Sequence, residues 1–337
     1  MPETFTLDDA SVVLVWTAIA IYALAFVAYA IDLARRSTAA VDTQDAVVRE
    51  RELVLAGGTE TLARVRAGEE AAAASLAARG RDRARPLWAR IGTSLTWLGF
   101  LFHVSGDVTR GIAAGRVPWS NMYEFALTGT MLIVAVYLVV LFRYDLRFLG
   151  AFITGLVVLL LGGATLGFHV EVTPLADPLK SVWLVIHVFV ASLATALFSL
   201  AFALSVTQLL QARRERRAAA GLKAGPRFLR ILPSADALES LAYRFAIIGF
   251  IFWTFTLIAG SIWANDAWGR YWGFDTKEVW TFIIWVLYAG YIHARATRGW
   301  RGTRSAWLSI IGFSAVMFNF TIVNMFFKGL HVYSGLS

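Results

Sequence analysis

The sequence predicts an all-α membrane protein: a polytopic bundle of about eight transmembrane helices with N- and C-termini outside. Three observations carry this. Apolar residues make up 58% of the 337 residues and charged residues only 16%, where soluble domains hold roughly 45–50% and about 25%. The apolar residues gather into runs close to the roughly 20 residues that cross about 30 Å of hydrocarbon. Lys and Arg fall mostly in alternate connections between those runs. Such an apolar excess cannot be hidden in one soluble core, which excludes a soluble enzyme.

The predicted spans are residues 12–33, 87–106, 123–142, 148–168, 182–210, 241–263, 279–293 and 305–327. Ala28-Tyr29-Ala30 resembles a cleavage site, but Glu3, Asp8 and Asp9 precede the first span and Arg35-Arg36 follow it. A signal peptide has a positive start, so this segment reads as an uncleaved span with its N-terminus outside. The fifth span is long and extends past the bilayer. The seventh is short and begins at a charged loop. Twenty-three Lys and Arg lie in connections 34–86, 143–147, 211–240 and 295–304, against six outside: Arg110, Arg116, Lys180, Arg270, Lys277 and Lys328. Discounting the long first connection leaves the same sign, so these connections are cytoplasmic. The net charge of +8 is thus a topology signal, and no nucleic-acid partner is expected.

The chain divides into a first transmembrane helix (1–33), a cytoplasmic linker (34–86) and a membrane domain (87–337) with an external loop at 263–280. The linker is rich in Ala, Arg and Glu and reads as a solvated connection or a short helical hairpin on the membrane surface. A helix is expected over 45–66, broken at Gly57-Gly58. There is no Cys, which excludes disulfides, thiolate metal sites and a Cys nucleophile. No Walker motif, G-x-S-x-G, H-E-x-x-H or internal repeat occurs.

Chemistry concentrates in the loop between spans six and seven. Trp263, Trp268, Trp272 and Trp280 stand there with Tyr271 and Phe274, and Gly269 and Gly273 lie among them. Two readings stand. One is an interfacial aromatic belt, which needs only one or two rings per span end. The other is an aromatic platform for a large planar ligand, whose backbone turns at the glycines. The five histidines bear on the choice. At about 1.5 Å per residue, His187 lies roughly six residues below the outer start of span five, and His331 just outside span eight. Both flank the loop. His293 lies near the inner end of span seven, roughly 22 Å below Glu278, and reads as a ligand or as an interfacial residue beside Arg295. Ionisable groups within a membrane are costly and point to function, although a neutral His bonded at both nitrogens is the bland alternative. Zinc takes three or four ligands, usually with carboxylate or thiolate help. A bis-His haem takes two imidazoles on a flat macrocycle and fits the pair better. An inner and an outer His on one bundle suggest two haem positions. His103 reads as structural and His169 as solvated.

Trp268-Gly269-Arg270-Tyr271-Trp272-Gly273-Phe274-Asp275-Thr276-Lys277-Glu278 resembles the tryptophan-rich WWD signature of haem-handling cytochrome c biogenesis proteins. Within them it is similar to the CcsA/ResC subunit of the system II cytochrome c synthase. Pro118-Trp119-Ser120-Asn121-Met122-Tyr123-Glu124 resembles the family's P-x-S-N-x-Y-E stretch. Trp183-Leu184-Val185-Ile186-His187 and Lys328-Gly329-Leu330-His331 resemble the stretches carrying the external haem ligands. His293-Ala294-Arg295 with Gly299-Trp300 resembles the end of the span with the membrane-buried His. The resemblance runs from about Trp88 onward. It departs at Phe274, usually a third Trp, and at Thr276, often Pro. Phe keeps an aromatic face and loses the indole donor.

The resemblance implies a cytoplasmic-membrane protein that takes haem b at an inner site with His293 and moves it to an external site between His187 and His331. There Trp268, Gly269, Trp272, Phe274 and Asp275 present it to the Cys-x-x-Cys-His segment of an apocytochrome c, and its vinyls become thioethers. It implies a haem lyase subunit whose activity needs a ResB/CcsB-type partner, with separate thioredoxin-like reductants for the substrate thiols. Arg116, Arg270 and Lys277 are outer cations for haem propionates or ordinary interfacial charges. Asp275 is expected to order the loop through backbone N–H groups rather than act in acid–base chemistry. The rivals are a haem exporter or delivery subunit without ligation activity, and a membrane dihaem electron carrier, which the single good inner ligand disfavours.

Overall fold

The computed structural model describes residues 5–55, 87–222, 225–297, 299–327 and 329–331, with backbone alone for 37–55 and 227. No strand occurs among them. The long helices are α1 (Leu7–Leu55), α2 (Leu87–Ala114), α3 (Met122–Leu141), α4 (Gly150–Gly167), α5 (Val182–Ala219), α6 (Ala235–Trp268), α7 (Thr276–Ala296) and α8 (Thr303–Phe318). The all-helical membrane class is as expected. Six of these helical segments are long and apolar enough to cross a membrane; α2 and α7 are not. Polar residues explain the shortfall: α2 carries Arg90, His103, Asp107 and Arg110, and α7 carries Lys277, Glu278, His293 and Arg295.

α5 is the centre of the bundle. It packs on α6, α3 and α8, while α1 packs on α2 and α4, and α7 on α8 and α6. The core runs from Tyr22 through Tyr137 and Phe198 to Tyr288 and Phe313. Phe198 and Tyr288 stack with centroids 3.6 Å apart, joining α5 to α7. α1 continues without a break past Leu33 to Leu55. The first part of the helix expected over 45–66 is thus an extension of the first span; the remainder, with the rest of the linker to residue 86, lies outside the described residues. So do Lys328 and Ser337.

Local chemistry sets the ends that matter. Asn121 caps α3 by accepting from the Glu124 N–H. α6 runs to Trp268 and ends on Gly269 in the left-handed conformation (φ 70°). Asp275 starts α7 with a reciprocal capping box to Glu278. The connection expected over 263–280 is therefore residues 269–275, because helix continues beyond the apolar run on both sides. α8 loosens into a π turn at Asn319–Val323 before resuming at Asn324–Phe326.

Candidate functional site

The N-terminal ends of α5 and α7 and the C-terminal ends of α6 and α8 hold His187 and His331 around Trp263. Trp263 is 2% exposed and fixed by its indole N–H donating to the Pro178 carbonyl at 2.8 Å. The His187 ring lies nearly parallel to it at 5.8 Å. The His331 ring stands edge-on to it at 5.3 Å and edge-on to Trp268 at 4.8 Å.

Each imidazole is oriented through the same nitrogen. His187 Nδ1 is 2.9 Å from the Thr256 carbonyl. A carbonyl only accepts, so Nδ1 carries the proton. Gly260, one turn further along α6, makes room: a Cβ there would stand 2.7 Å from the His187 ring. His331 Nδ1 is 2.7 Å from Asp275 Oδ2. Asp275 Oδ1 also accepts from the Leu330 N–H at 3.0 Å, and Gly329 allows the approach, since a Cβ there would collide with that oxygen. Neither Nε2 has a hydrogen-bond partner among the described residues. Two imidazoles with Nδ1 anchored and Nε2 unengaged are the arrangement that metal-ligating histidines adopt. The His331 hydrogen bond is the main reason the Asp275 carboxyl lies below its usual range; the Leu330 and Lys277 N–H groups add to it, against partial desolvation.

The pair stands in a wall between two cavities. The larger, about 1260 Å³ counting its open mouth, reaches from Trp119 down to Ile133, Leu160 and Phe313. The smaller, about 470 Å³, faces Tyr271 and Trp272 of the connection. Both are bounded by His187, Thr256, Trp263, Lys277, Thr281 and His331. The larger is lined mostly by apolar side chains, as sites for flat hydrophobic ligands are. The residues present suit a haem: an apolar chamber, two unengaged Nε2 atoms and a close glycine beside one ring.

The stretch containing Trp119 is pinned by buried charge. Arg110 is fully buried, with Asp8 at 2.5 Å, Glu124 at 3.1 Å and the Val170 carbonyl at 2.7 Å. Arg116 pairs with the same Glu124 at 2.7 Å. Trp119, on the cavity wall, donates to Thr128 at 2.9 Å, which donates to Asp107 at 3.0 Å. Arg116 is therefore committed within the protein, and Arg270 lies over Gly273 where a Cβ would stand. Of Arg116, Arg270 and Lys277, Lys277 alone lines both cavities.

Of the residues singled out from sequence, His187, His331, Trp268, Trp272 and Asp275 come together. Asp275 does more than order the loop, since it also holds His331. Gly269 ends α6 and lines neither cavity. Phe274 is 79% exposed in a left-handed conformation (φ 57°) that a bulky residue rarely adopts, edge-on to Trp272 at 6.1 Å. His293 lies apart, exposed in the last turn of α7, next to Arg295, which pairs with Glu239 at 2.5 Å. His103 is structural: fully buried, its Nε2 donates to the Leu127 carbonyl at 3.0 Å, and its Nδ1 is 3.3 Å from the Tyr22 hydroxyl. His169 is exposed. Sequence reading passed over Thr256, Asn319 and Asn324. The π turn that turns both asparagines to the cavity leaves no sequence signature, and Trp263 was counted with the loop.

The cytochrome C assembly protein family matches residues 119–331. The cytochrome c biogenesis protein CcsA of Guillardia theta is 34% identical over 244 residues, covering 68% of this chain and 80% of that protein. The CcsA of Prochlorococcus marinus is 35% identical over 247 residues, covering 67% and 78%, and that of Synechococcus elongatus 32% over 263, covering 66% and 81%. In structure the chain is similar to the cytochrome c heme lyase CcmF, with a TM-score of 0.59 and 14% identity; the match covers 95% of this chain and 47% of that one. At that identity the likeness concerns the fold. The chain belongs to the cytochrome c assembly protein family, as a multi-pass membrane protein of the CcsA type that serves cytochrome c biogenesis.

Proposed function

We propose that this chain, with a ResB/CcsB-type partner, moves haem b from the cytoplasmic side to the outer site and presents it there for attachment to apocytochrome c. His187 and His331 hold the iron from their Nε2 atoms. Trp263, Trp268 and Trp272 flank the macrocycle, and exposed Phe274 stands where the substrate segment docks. The observation that carries this reading is that both imidazoles are anchored through Nδ1, with Nε2 unengaged, on the wall that the two cavities share.

Each attachment adds a thiol S–H across a vinyl C=C. One S–C and one C–H bond form, and no oxidant is consumed. The protein's part is position, and holding thiol and vinyl in a reactive geometry lowers a barrier by about 7–11 kcal/mol in the best cases. The substrate's own His then displaces one of the two protein ligands. His293 belongs to the inner site. Its exposure on the same flank as Phe282 and Val286 supports completion of that site by the partner. Eight crossings, with the 269–275 connection and both termini outside, place the two sites on opposite sides of the cytoplasmic membrane. Thioredoxin-like proteins keep the substrate thiols reduced.

The test is co-expression with the partner and a reporter apocytochrome, followed by haem staining under denaturing conditions. A covalent haem-stained product is expected. Haem-loaded complex without covalent product would make the chain an exporter or delivery subunit.

A further inference from the structure

A third cavity, about 750 Å³ counting its open mouth, lies between the start of α2 and the end of α3. It stands roughly 30 Å along α3 from Asn121, at the other end of the bundle from His187 and His331. Its lining is of two kinds. Arg90, Ser94, Asp145 and Arg147 are polar; Trp97, Leu138, Leu141 and Phe142 are apolar. Arg90, Ser94 and Trp97 follow at i, i+4 and i+7 on one face of α2. Trp97 and Phe142 are both exposed with their rings 6.2 Å apart, so the apolar part opens on the surface that a bilayer covers.

The charges at this cavity do not cancel. Asp145 holds Arg147 through two bonds, at 2.7 and 2.6 Å. No ion pair joins Arg90 to an acidic side chain among the described residues. The lining thus carries two guanidinium groups against one carboxylate. Asp32 on the adjoining α1 does not redress this, since it pairs with Arg36 at 2.7 Å and accepts from the Ala89 N–H at 3.1 Å. The field of Arg36 reaches the same corner. The Asp145 carboxyl lies below its usual range chiefly through Arg147, and Arg36 adds to the effect. Arg36 also keeps a buried Nη2 without a hydrogen-bond partner among the described residues.

The chemistry of the lining selects its occupant. Guanidinium groups match phosphate oxygens in a two-pronged geometry, and basic pockets between membrane helices hold anionic headgroups. A free anion would leave the Trp97 and Phe142 faces uncovered. No His lines the cavity, so it offers no imidazole to a haem iron. A choline head would bring a further cation beside Arg90.

We propose that this cavity binds one anionic glycerophospholipid. Its phosphodiester sits on Arg90 and on the Arg147 N–H groups that Asp145 leaves unused, since a guanidinium has five donors and Asp145 takes two. An acyl chain lies along Trp97 and Phe142. The bound lipid ties the start of α2 to the end of α3. The inference goes beyond the haem reading and does not depend on it.

The test is tryptophan fluorescence of the detergent-solubilised complex with its partner subunit. The titrants are phosphatidylglycerol and phosphatidylcholine with brominated acyl chains, which quench the indoles they touch. The quenching lost in Trp97→Phe reports this cavity. Its midpoint is expected at about tenfold less phosphatidylglycerol than phosphatidylcholine, the scale of a hydrogen-bonded charge. Arg90→Gln and Ser94→Asp, at exposed positions, are expected to bring the two lipids level. Lys180→Gln, exposed at the other end of the bundle, is expected to keep the difference. Excess inorganic phosphate is expected to displace the lipid no better than chloride of equal ionic strength. Equal midpoints in the wild type, or quenching with no Trp97 component, would overturn the proposal. So would a difference that survives both Arg90→Gln and Ser94→Asp. Specific displacement by inorganic phosphate would make the cavity a free-anion site and overturn the lipid assignment. Each of these results leaves the haem reading standing.

Discussion

Asp275→Asn separates two tasks of one carboxylate. Asp275 caps α7, accepting from the Lys277 N–H at 3.3 Å, and holds His331 Nδ1 at 2.7 Å. Asn is as good an N-cap as Asp, so α7 is expected to keep its start and the protein its melting temperature. The His331 contact does not survive as well. The amide is neutral, and it must accept from the imidazole and from the Leu330 N–H with a single oxygen. Loss of such an outer-shell partner typically costs 10–100-fold in metal affinity, about 1.4–2.7 kcal/mol. The assay is a Soret titration of the solubilised complex with haem, paired with thermal unfolding. A 10–100-fold weaker outer haem with little change in Tm is expected. Asp275→Ala should lose the same affinity and, in addition, about 0.5–2 kcal/mol of stability from the missing cap. The pH dependence follows from the sign of the shift. The folded carboxyl lies below its ordinary value, so its stabilising contribution is complete above about pH 4, the unfolded value. It disappears as pH falls through the lower folded value. The Asp275 hold is therefore constant across the neutral range and lost only in strong acid, and Asp275→Asn lacks that acid step. Wild-type haem affinity in Asp275→Asn would refute the argument, because the contact would then orient nothing.

The remaining predictions use other contacts. His187→Ala and His331→Ala are expected to abolish cytochrome c maturation, with added imidazole partly restoring it by filling the opened position. Trp272→Ala removes a wall instead and should not respond. Failure of both His variants to respond, with the haem spectrum unchanged, would remove them as ligands. Gly260→Ala places a Cβ 2.7 Å from the His187 ring. The helix gains about 1 kcal/mol of propensity against about 1–3 kcal/mol of overpacking, so Tm should move little while haem content drops; unchanged haem content would show that the ring tolerates displacement. His293→Ala, at an exposed position, should leave stability within about 0.5 kcal/mol and lower haem at both sites; normal haem and normal cytochrome c yield would make it structural. Reporter fusions after Arg217 and Arg301 should read cytoplasmic, and fusions at Ala176 and Ser337 external; a cytoplasmic Ser337 would break the eight-crossing topology.

Much of this protein is determined by sequence because its causes are local or compositional. Apolar runs against a bilayer dictate helices, since no other backbone arrangement satisfies its own N–H and C=O groups in hydrocarbon short of a closed barrel. The Trp-rich stretch, His187 and His331 were legible as residue types that a membrane tolerates only for a reason. What tertiary structure decided was which nitrogen each imidazole presents and which ring packs against both. Thr256 reaches His187 through a backbone carbonyl, which has no sequence identity to read. Asp275 reaches His331 across 56 positions of chain, a contact that no periodicity encodes. Trp263 belonged by hydropathy to the end of a span, and only the continuation of α6 to Trp268 sets it against both histidine rings. Arg116 and Lys277 were indistinguishable as outer cations. The difference between a cation neutralised by Glu124 and one turned into an apolar chamber is a matter of which helices meet, and packing alone settles that.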